Sequence, residues 1–126
     1  QWEATFCPLS TNDIAGSEKD EHWIVFETEG RIVEMNLLNP DKIALAGEPF
    51  IETRQKNPTL AFNPQGEKLI AWGEAISHSR GGRLNLRFFD AEGKVADYEL
   101  EEELHIVDFS FPAAAALPDG DFLVLH

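Results

Sequence analysis

Short apolar runs separated by turn residues recur along the whole chain. The run KLIAW at residues 68–72 is apolar at almost every position, which is typical of a strand buried on both faces. The run RLNLRFFD at 83–90 alternates apolar with polar residues, which predicts a strand with one buried face, and VADYEL at 95–100 continues the alternation. Turn chemistry such as NPQG at 63–66 lies between the runs. The pattern therefore predicts β-strands joined as hairpins.

Helical periodicity is weak throughout the sequence. The segment NDIAGSEKDE at residues 12–21 is compatible with a single turn of helix, and no longer stretch repeats its apolar residues every three to four positions. We therefore predict an all-β fold.

Parts of the sequence resemble other parts of it. NPTLAFNPQGEKLIAW (57–72) aligns without a gap on FPAAAALPDGDFLVLH (111–126) after a shift of 54 positions. A shift of 52 relates GRIVEMNLLNPDK (30–42) to GRLNLRFFDAEGK (82–94), and HWIVFETE (22–29) resembles KLIAWGEA (68–75). These similarities predict a repeat unit of about 52–54 residues with four short strands each. The approximate units are residues 1–50, 51–105 and an incomplete 106–126.

Four strands in about 50 residues, repeated along a chain, are typical of β-propeller blades. The Pro-x-Gly hairpins resemble bacterial propeller repeats of the Pro-Asp-Gly type, as in TolB-like propellers. The Asp-box hairpin of sialidase-type propellers is a poorer match, because Leu117 stands where that box needs Ser or Thr and Gln65 replaces its Asp. The resemblance implies consecutive four-stranded antiparallel blades that form a partial β-propeller, and it says little about chemistry.

The number of units raises the question of how such a propeller would close. Closed propellers typically have about 4 to 8 blades, whereas this sequence supplies about two and a third. We expect the further blades to come from a longer chain or from other copies of this one. If the internal similarity is coincidental, the alternative fold is a small β-sandwich.

The charge balance narrows the classes of partner. The chain has 23 Asp and Glu against 10 Lys and Arg, a formal net charge of −13. Such a surface repels phosphate backbones and anionic lipid, so we expect no nucleic-acid partner. No apolar stretch reaches the ~18 residues of a membrane span, so we expect no membrane insertion. We interpret the excess of acidic residues as a contribution to solubility. The alternative is that they bind a cation or a basic partner.

Residues that commonly hold metals are scattered. Cys7 is the single cysteine, so neither a disulfide nor a cysteine-rich zinc site can form within the chain. The four histidines, at 22, 78, 105 and 126, lack metal-ligand spacing, and we expect no metal and no cofactor. The glutamates of ELEEELH (99–105) are interpreted as a solvated turn, with a cation site as the alternative. Trp23 and Trp72 are expected in the core.

One polar loop stands out as a candidate binding segment. SHSRGGR at 77–83 contains two arginines in an otherwise acidic chain, and loops on a rigid β scaffold are common recognition sites. We predict His78, Arg80 and Arg83 as ligand-binding residues, suited to an anionic or carboxylate-bearing partner. A flexible connection between strands is the alternative, and no catalytic residue is predicted.

Three functions fit these expectations. The first is a non-catalytic binding or scaffold module that recognises protein or glycan through its loops. The second is part of a propeller hydrolase or lyase that acts on polysaccharide, and the third is a self-assembling structural propeller. The Gln at position 1 favours export to the periplasm or outside the cell, or it marks a boundary within a longer sequence.

Overall fold

The computed structural model describes residues 10–47, 52–77, 79–98 and 100–126. These ranges contain eleven β-strands in three antiparallel sheets and no helix, so the all-β prediction is confirmed. The helical turn expected within residues 12–21 is wrong, because this segment forms a strand followed by a tight turn. Trp2, Cys7, His78 and Glu99 lie outside the described residues.

Each sheet is built from strands that are consecutive in the chain. The first sheet has the order β1-β2-β3-β4, with strands Asp13–Gly16, His22–Thr28, Arg31–Asn36 and Ile43–Leu45. The second sheet has the order β5-β6-β7-β8, and β9 pairs with the other end of β7; its strands are Gln55–Phe62, Lys68–Glu74, Gly82–Phe89, Val95–Ala96 and His105–Ile106. The third sheet pairs β10, Ala113–Ala116, with β11, Phe122–Leu125.

The strand predicted over residues 95–100 is shorter than expected. Among the described residues of this segment, only Val95 and Ala96 pair with β7, and both are exposed. Tyr98 instead lays its ring against Phe88, with ring centroids 4.5 Å apart. This contact packs the aromatic side chain of the segment against β7 without extending the ladder of backbone hydrogen bonds.

Four hairpins of the molecule use the same five-residue turn. The turns occupy residues 17–21, 63–67, 90–94 and 117–121. In each, the N–H of the first residue donates to the carbonyl of the fifth, and the N–H of the fourth donates to the carbonyl of the first. The fourth residue is left-handed in every case, with φ of 56° at Asp20, 84° at Gly66, 82° at Gly93 and 101° at Gly120. The stretches 58–72 and 112–126 thus form antiparallel hairpins through one turn geometry.

The strands β5 and β6 of the second sheet are buried almost throughout, because this sheet packs against both of the others. Every residue of β6 is buried, which confirms the prediction for KLIAW. One core cluster joins the first and second sheets, and it contains Val25, Ile32, Ala46, Leu60, Ile70, Trp72 and Phe89. A second cluster contains Ala71, Ile76, Leu84 and Ile106, with Val124 of the third sheet packed against it. Trp72 is in the core and Trp23 packs against it, as expected.

The first strands of the three sheets lie side by side. β5 packs against both β1 and β10. The hydroxyl of Thr59 on β5 donates to Asp13 Oδ2 at 2.9 Å and accepts the backbone N–H of Ala114 at 3.1 Å. One side chain therefore links all three sheets. Within the described ranges, no helix is long and apolar enough to cross a membrane.

Candidate functional site

Polar loops collect where β1, β5 and β10 begin, which we call the upper end. Antiparallel pairing places the connection between β2 and β3 here, because Thr28 pairs with Arg31. It also places the longer connection between β6 and β7 here, because Glu74 pairs with Arg83. The loop that the sequence singled out therefore shares this end with the beginnings of the three first strands.

A cleft of about 340 Å³ opens between the beginnings of the three first strands. It is lined by Thr11, Asn12, Asp13, Pro58, Thr59, Phe111, Pro112 and Ala113. Phe111 and the two prolines supply apolar surface. Thr11 and Asn12 before β1 supply a hydroxyl and an amide, and Asp13 at the start of β1 supplies a carboxylate. The carboxylate of Asp13 is fixed in place, because its Oδ2 also accepts the N–H of Leu60 at 3.0 Å.

Asn57 is the most unusual residue beside this cleft. It is fully buried, yet its φ is 54°, and β5 is bulged between Lys56 and Thr59. Its Oδ1 accepts the N–H of Thr11 at 3.1 Å, whereas its Nδ2 has no hydrogen-bond partner in the described part of the chain. Left-handed non-glycine residues, bulges and unpaired buried donors all concentrate at functional positions. The cleft is therefore the stronger candidate site.

The predicted binding residues are only partly brought together. Arg80 is exposed in the loop, and its backbone N–H donates to Ser77 Oγ at 3.1 Å. Arg83 is the second residue of β7; its side chain is 46% exposed, and its Nη2 lies 3.3 Å from Glu74 Oε2. Arg83 thus forms an ion pair with Glu74, which lies on the neighbouring strand of the same sheet. His78 is outside the described residues, so its role stays a prediction.

Glu74 is anchored by a polar network that sequence reasoning missed. Its Oε1 accepts the side-chain N–H groups of Gln55 and Trp72, each at 3.3 Å. Gln55 is buried and accepts the backbone N–H of Ile32 at 2.9 Å, so the network crosses from the second sheet to the first. The available signal in the sequence was a pair of polar residues, Gln55 before one apolar run and Glu74 after the next. Such residues are common at the ends of strands, so the signal was weak.

The acidic segment after β8 is solvated. Glu101, Glu102 and Glu103 are exposed, and Glu103 lies 3.4 Å from the ring of His105. Across the described ranges, no three His, Cys, Asp or Glu side chains are grouped so that they could hold a metal ion. The exposure of these three glutamates agrees with the interpretation of the segment as a solvated turn.

A buried ion pair lies toward the opposite end of the sheets. Lys68 on β6 binds Glu34 on β3, and both side chains are almost completely buried. The Lys68 ammonium also lies 4.1 Å from the ring centroid of Trp23 and 4.2 Å from that of Phe89. The pair joins the first sheet to the second, so we assign it to the packing of the sheets.

Comparisons with protein-family models, with curated proteins and with solved structures found no match for this chain.

Proposed function

We propose that the chain is a non-catalytic binding or scaffold module of a β-propeller protein, and that its upper end recognises protein or glycan. The observation that carries the proposal is the packing of β5 between β1 and β10. This packing gathers the beginnings of the strands of three sheets around one cleft.

The propeller part of the proposal rests on connectivity. Each sheet uses only consecutive strands, and successive sheets meet along their first strands. Blades arranged around an axis have this order, whereas the sheets of most β-sandwiches exchange strands through Greek-key connections. The repeated turn geometry of the hairpins agrees with units of like design.

The recognition part rests on the chemistry of the cleft. An exposed aromatic ring beside fixed hydrogen-bonding groups suits a sugar ring or an extended peptide. Phe111 is 47% exposed, and Asp13 is held by Thr59 and Leu60. A rigid, pre-organised cleft of this kind favours binding because little conformational entropy is lost.

Binding to defined probes tests this proposal. Cellohexaose, chitohexaose, hexagalacturonate and a library of unstructured peptides would be titrated against the chain and against Phe111→Ala. We expect at least one probe to bind, and the substitution to weaken its binding about tenfold because a stacked ring contributes on the order of 1 kcal/mol or more.

Phe109→Ala is the matched control, because Phe109 is 78% exposed and is not part of the cleft lining. This control is expected to bind like the unmodified chain. Binding by no probe, or equal loss in both variants, contradicts the proposal. Cleavage of an oligosaccharide contradicts its non-catalytic part.

A further inference from the structure

A pocket of about 130 Å³, which we call the lower pocket, lies between the first and second sheets. Its walls are three of the five-residue turns: 17–21 of the first sheet, and 63–67 and 90–94 of the second. Because these turns follow β1, β5 and β7, the pocket is at the end of the sheets opposite the upper cleft. Among the described residues that line it, none belongs to the third sheet. The pocket is therefore a feature of the junction between two neighbouring sheets.

A side chain that joins neighbouring turns at one junction has no described counterpart at the other. Between the second and third sheets, Asn63, the first residue of its turn, donates from Nδ2 to the carbonyl of Gly120, the fourth residue of the next turn, at 2.9 Å. The equivalent pair between the first and second sheets is Ser17 and Gly66. The shorter Ser17 accepts the N–H of Lys19 within its own turn, at 3.2 Å. Ser17 and Gly66 both line the pocket, so the space between these turns stays open.

Apolar side chains form the floor of the lower pocket. Buried Phe89 and half-buried Phe62 line it, and Pro64 and Ala91 add aliphatic surface. Since a cavity of about 150 Å³ holds benzene, a pocket of about 130 Å³ that opens to solvent can receive one aromatic ring. Cofactors and drug-sized ligands need about 300 Å³ or more. The size of the pocket therefore fits a single side chain.

The rim of the lower pocket is acidic. Its lining contains the three carboxylates of Glu18, Glu21 and Asp90. Two ammonium groups also belong to the lining, those of Lys19 and Lys68, but Lys68 is already bound by Glu34. Three carboxylates thus face the single charge of Lys19, and positive charge on a ligand is favoured at the rim.

Two of the rim carboxylates are held in place and keep one oxygen available. Glu21 Oε2 accepts the indole N–H of Trp23 at 3.2 Å. Asp90 Oδ1 accepts the N–H groups of Glu92 and Lys94, at 3.0 Å and 2.8 Å. Glu21 Oε1 and Asp90 Oδ2 have no partner among the described residues. Because Glu21 belongs to the first sheet and Asp90 to the second, acceptors lie on both sides of an inserted ring.

We propose that the lower pocket binds one Phe side chain of a partner protein, and that the residues before and after this Phe are Lys or Arg. The ring packs against Phe62 and Phe89, and the flanking cations bind Glu21 and Asp90. Lys19 Nζ, which donates to the carbonyl of Ala91 at 3.2 Å, yields its place at the rim to one of these cations. The site is distinct from the upper cleft, so it stands or falls independently of the function proposed above.

The peptide Ac-GKFRG-NH₂ is the probe for this site. It would be titrated into the whole ¹⁵N-labelled chain at low ionic strength, where the rim charges are least screened. We expect the amide signals of Gly66, Ala91 and Gly93 to shift together along one binding curve, because these residues line the lower pocket. Binding that leaves these signals unchanged overturns the proposal, as does an absence of binding.

Two control peptides separate the ring from the charges. Ac-GKARG-NH₂ lacks the ring and is expected to bind at least about tenfold more weakly, because burial of a Phe side chain supplies that much affinity. Ac-GEFEG-NH₂ keeps the ring with reversed charges and is expected to bind several-fold more weakly at the acidic rim. Equal binding by either control peptide overturns the proposal.

Ser17→Asn and Ser17→Ala are the matched variants of the chain. Asn at this position can donate to the carbonyl of Gly66 as Asn63 donates to that of Gly120, so Ser17→Asn should close the pocket and weaken binding of Ac-GKFRG-NH₂ about tenfold. Ser17→Ala keeps a short side chain and should bind as the unmodified chain does. Unchanged binding in Ser17→Asn overturns the proposal.

Two further variants keep the test decisive if Ser17→Asn fails to fold. Lys19→Gln removes the competing ammonium and should strengthen binding of Ac-GKFRG-NH₂ several-fold, and a loss of binding there contradicts the proposal. Phe111→Ala should leave binding of this peptide unchanged. A loss in Phe111→Ala would mean that the peptide occupies the upper cleft, which overturns the lower pocket as its site.

Discussion

The charged side chain of Lys68 is almost completely buried between the first and second sheets. Its ammonium binds Glu34 and faces the rings of Trp23 and Phe89. We predict that Lys68→Met lowers the free energy of unfolding by about 3–5 kcal/mol, because Glu34 then remains buried without its partner. Urea-induced unfolding followed by tryptophan fluorescence measures this change.

The double variant Lys68→Met/Glu34→Leu is the control for that prediction. Replacing both charges removes the uncompensated carboxylate, so most of the lost stability should return. A loss below about 1 kcal/mol in the single variant, the range of an exposed pair, would show that Glu34 is not held in a buried environment.

The conformation and the contacts of Asn57 were the hardest features to predict from the sequence. Asn-Pro dipeptides are common in turns, whereas Asn57 lies inside β5 at a bulge. The bulge arises because the side chain and the N–H of Asn57 bond to residues before β1, which are far away in sequence. No local pattern contains that information, whereas the solvated glutamates and the core tryptophan Trp72 could be predicted from composition and periodicity.

The five-residue turn that four hairpins share allows a prediction about the stability of the chain. Asp20 holds the left-handed position that glycine holds in the three other turns. We predict that Asp20→Gly raises the free energy of unfolding by about 0.5–1 kcal/mol, because glycine adopts positive φ without steric cost. Thermal unfolding followed by circular dichroism tests it.

Gly93→Asp is the reciprocal control. A Cβ atom at Gly93 would meet no atom within 4 Å, so the φ of 82° is what opposes the substitution. A loss of about 1 kcal/mol is therefore expected. If Asp20→Gly destabilised the chain while Gly93→Asp had no effect, the turns would not be equivalent.

Strands could be predicted where burial on one or both faces produces a pattern of apolar and polar residues in the sequence. β6 is apolar throughout and β7 alternates, and both lie where the pattern indicates. β1 has only four residues, too few for a period to emerge, so the segment was compatible with helix. Residues 95–100 alternate in sequence, but residues 95–98 are exposed and the pairing with β7 covers only Val95 and Ala96 of the described residues, so the alternation buries no face of the segment.

At the level of the whole molecule, loop lengths explain why segments before and after the upper loop align after different shifts along the sequence. Thr28 and Arg31, which pair, are separated by two residues, whereas the pair Glu74 and Arg83 is separated by eight. Residues 22–29, before the loop, align on residues 68–75 after a shift of 46 positions, and the longer upper loop raises the shift of the segments after it to 52. A common unit with a variable loop accounts for both, although the repeat itself stays a prediction. The packing of the first strands could not be predicted, because it depends on contacts between sheets.

Hydrogen exchange at the amide of Ala114 reports on how the three sheets are joined, because this amide donates to the hydroxyl of Thr59, which also binds Asp13. We predict that this amide exchanges slowly in the unmodified chain, on the order of tenfold faster in Thr59→Val, and still slowly in Thr59→Ser, which keeps the accepting hydroxyl. Fast exchange in the unmodified chain, or no difference between Thr59→Val and Thr59→Ser, would mean that β10 does not lie against β5 and would contradict the account.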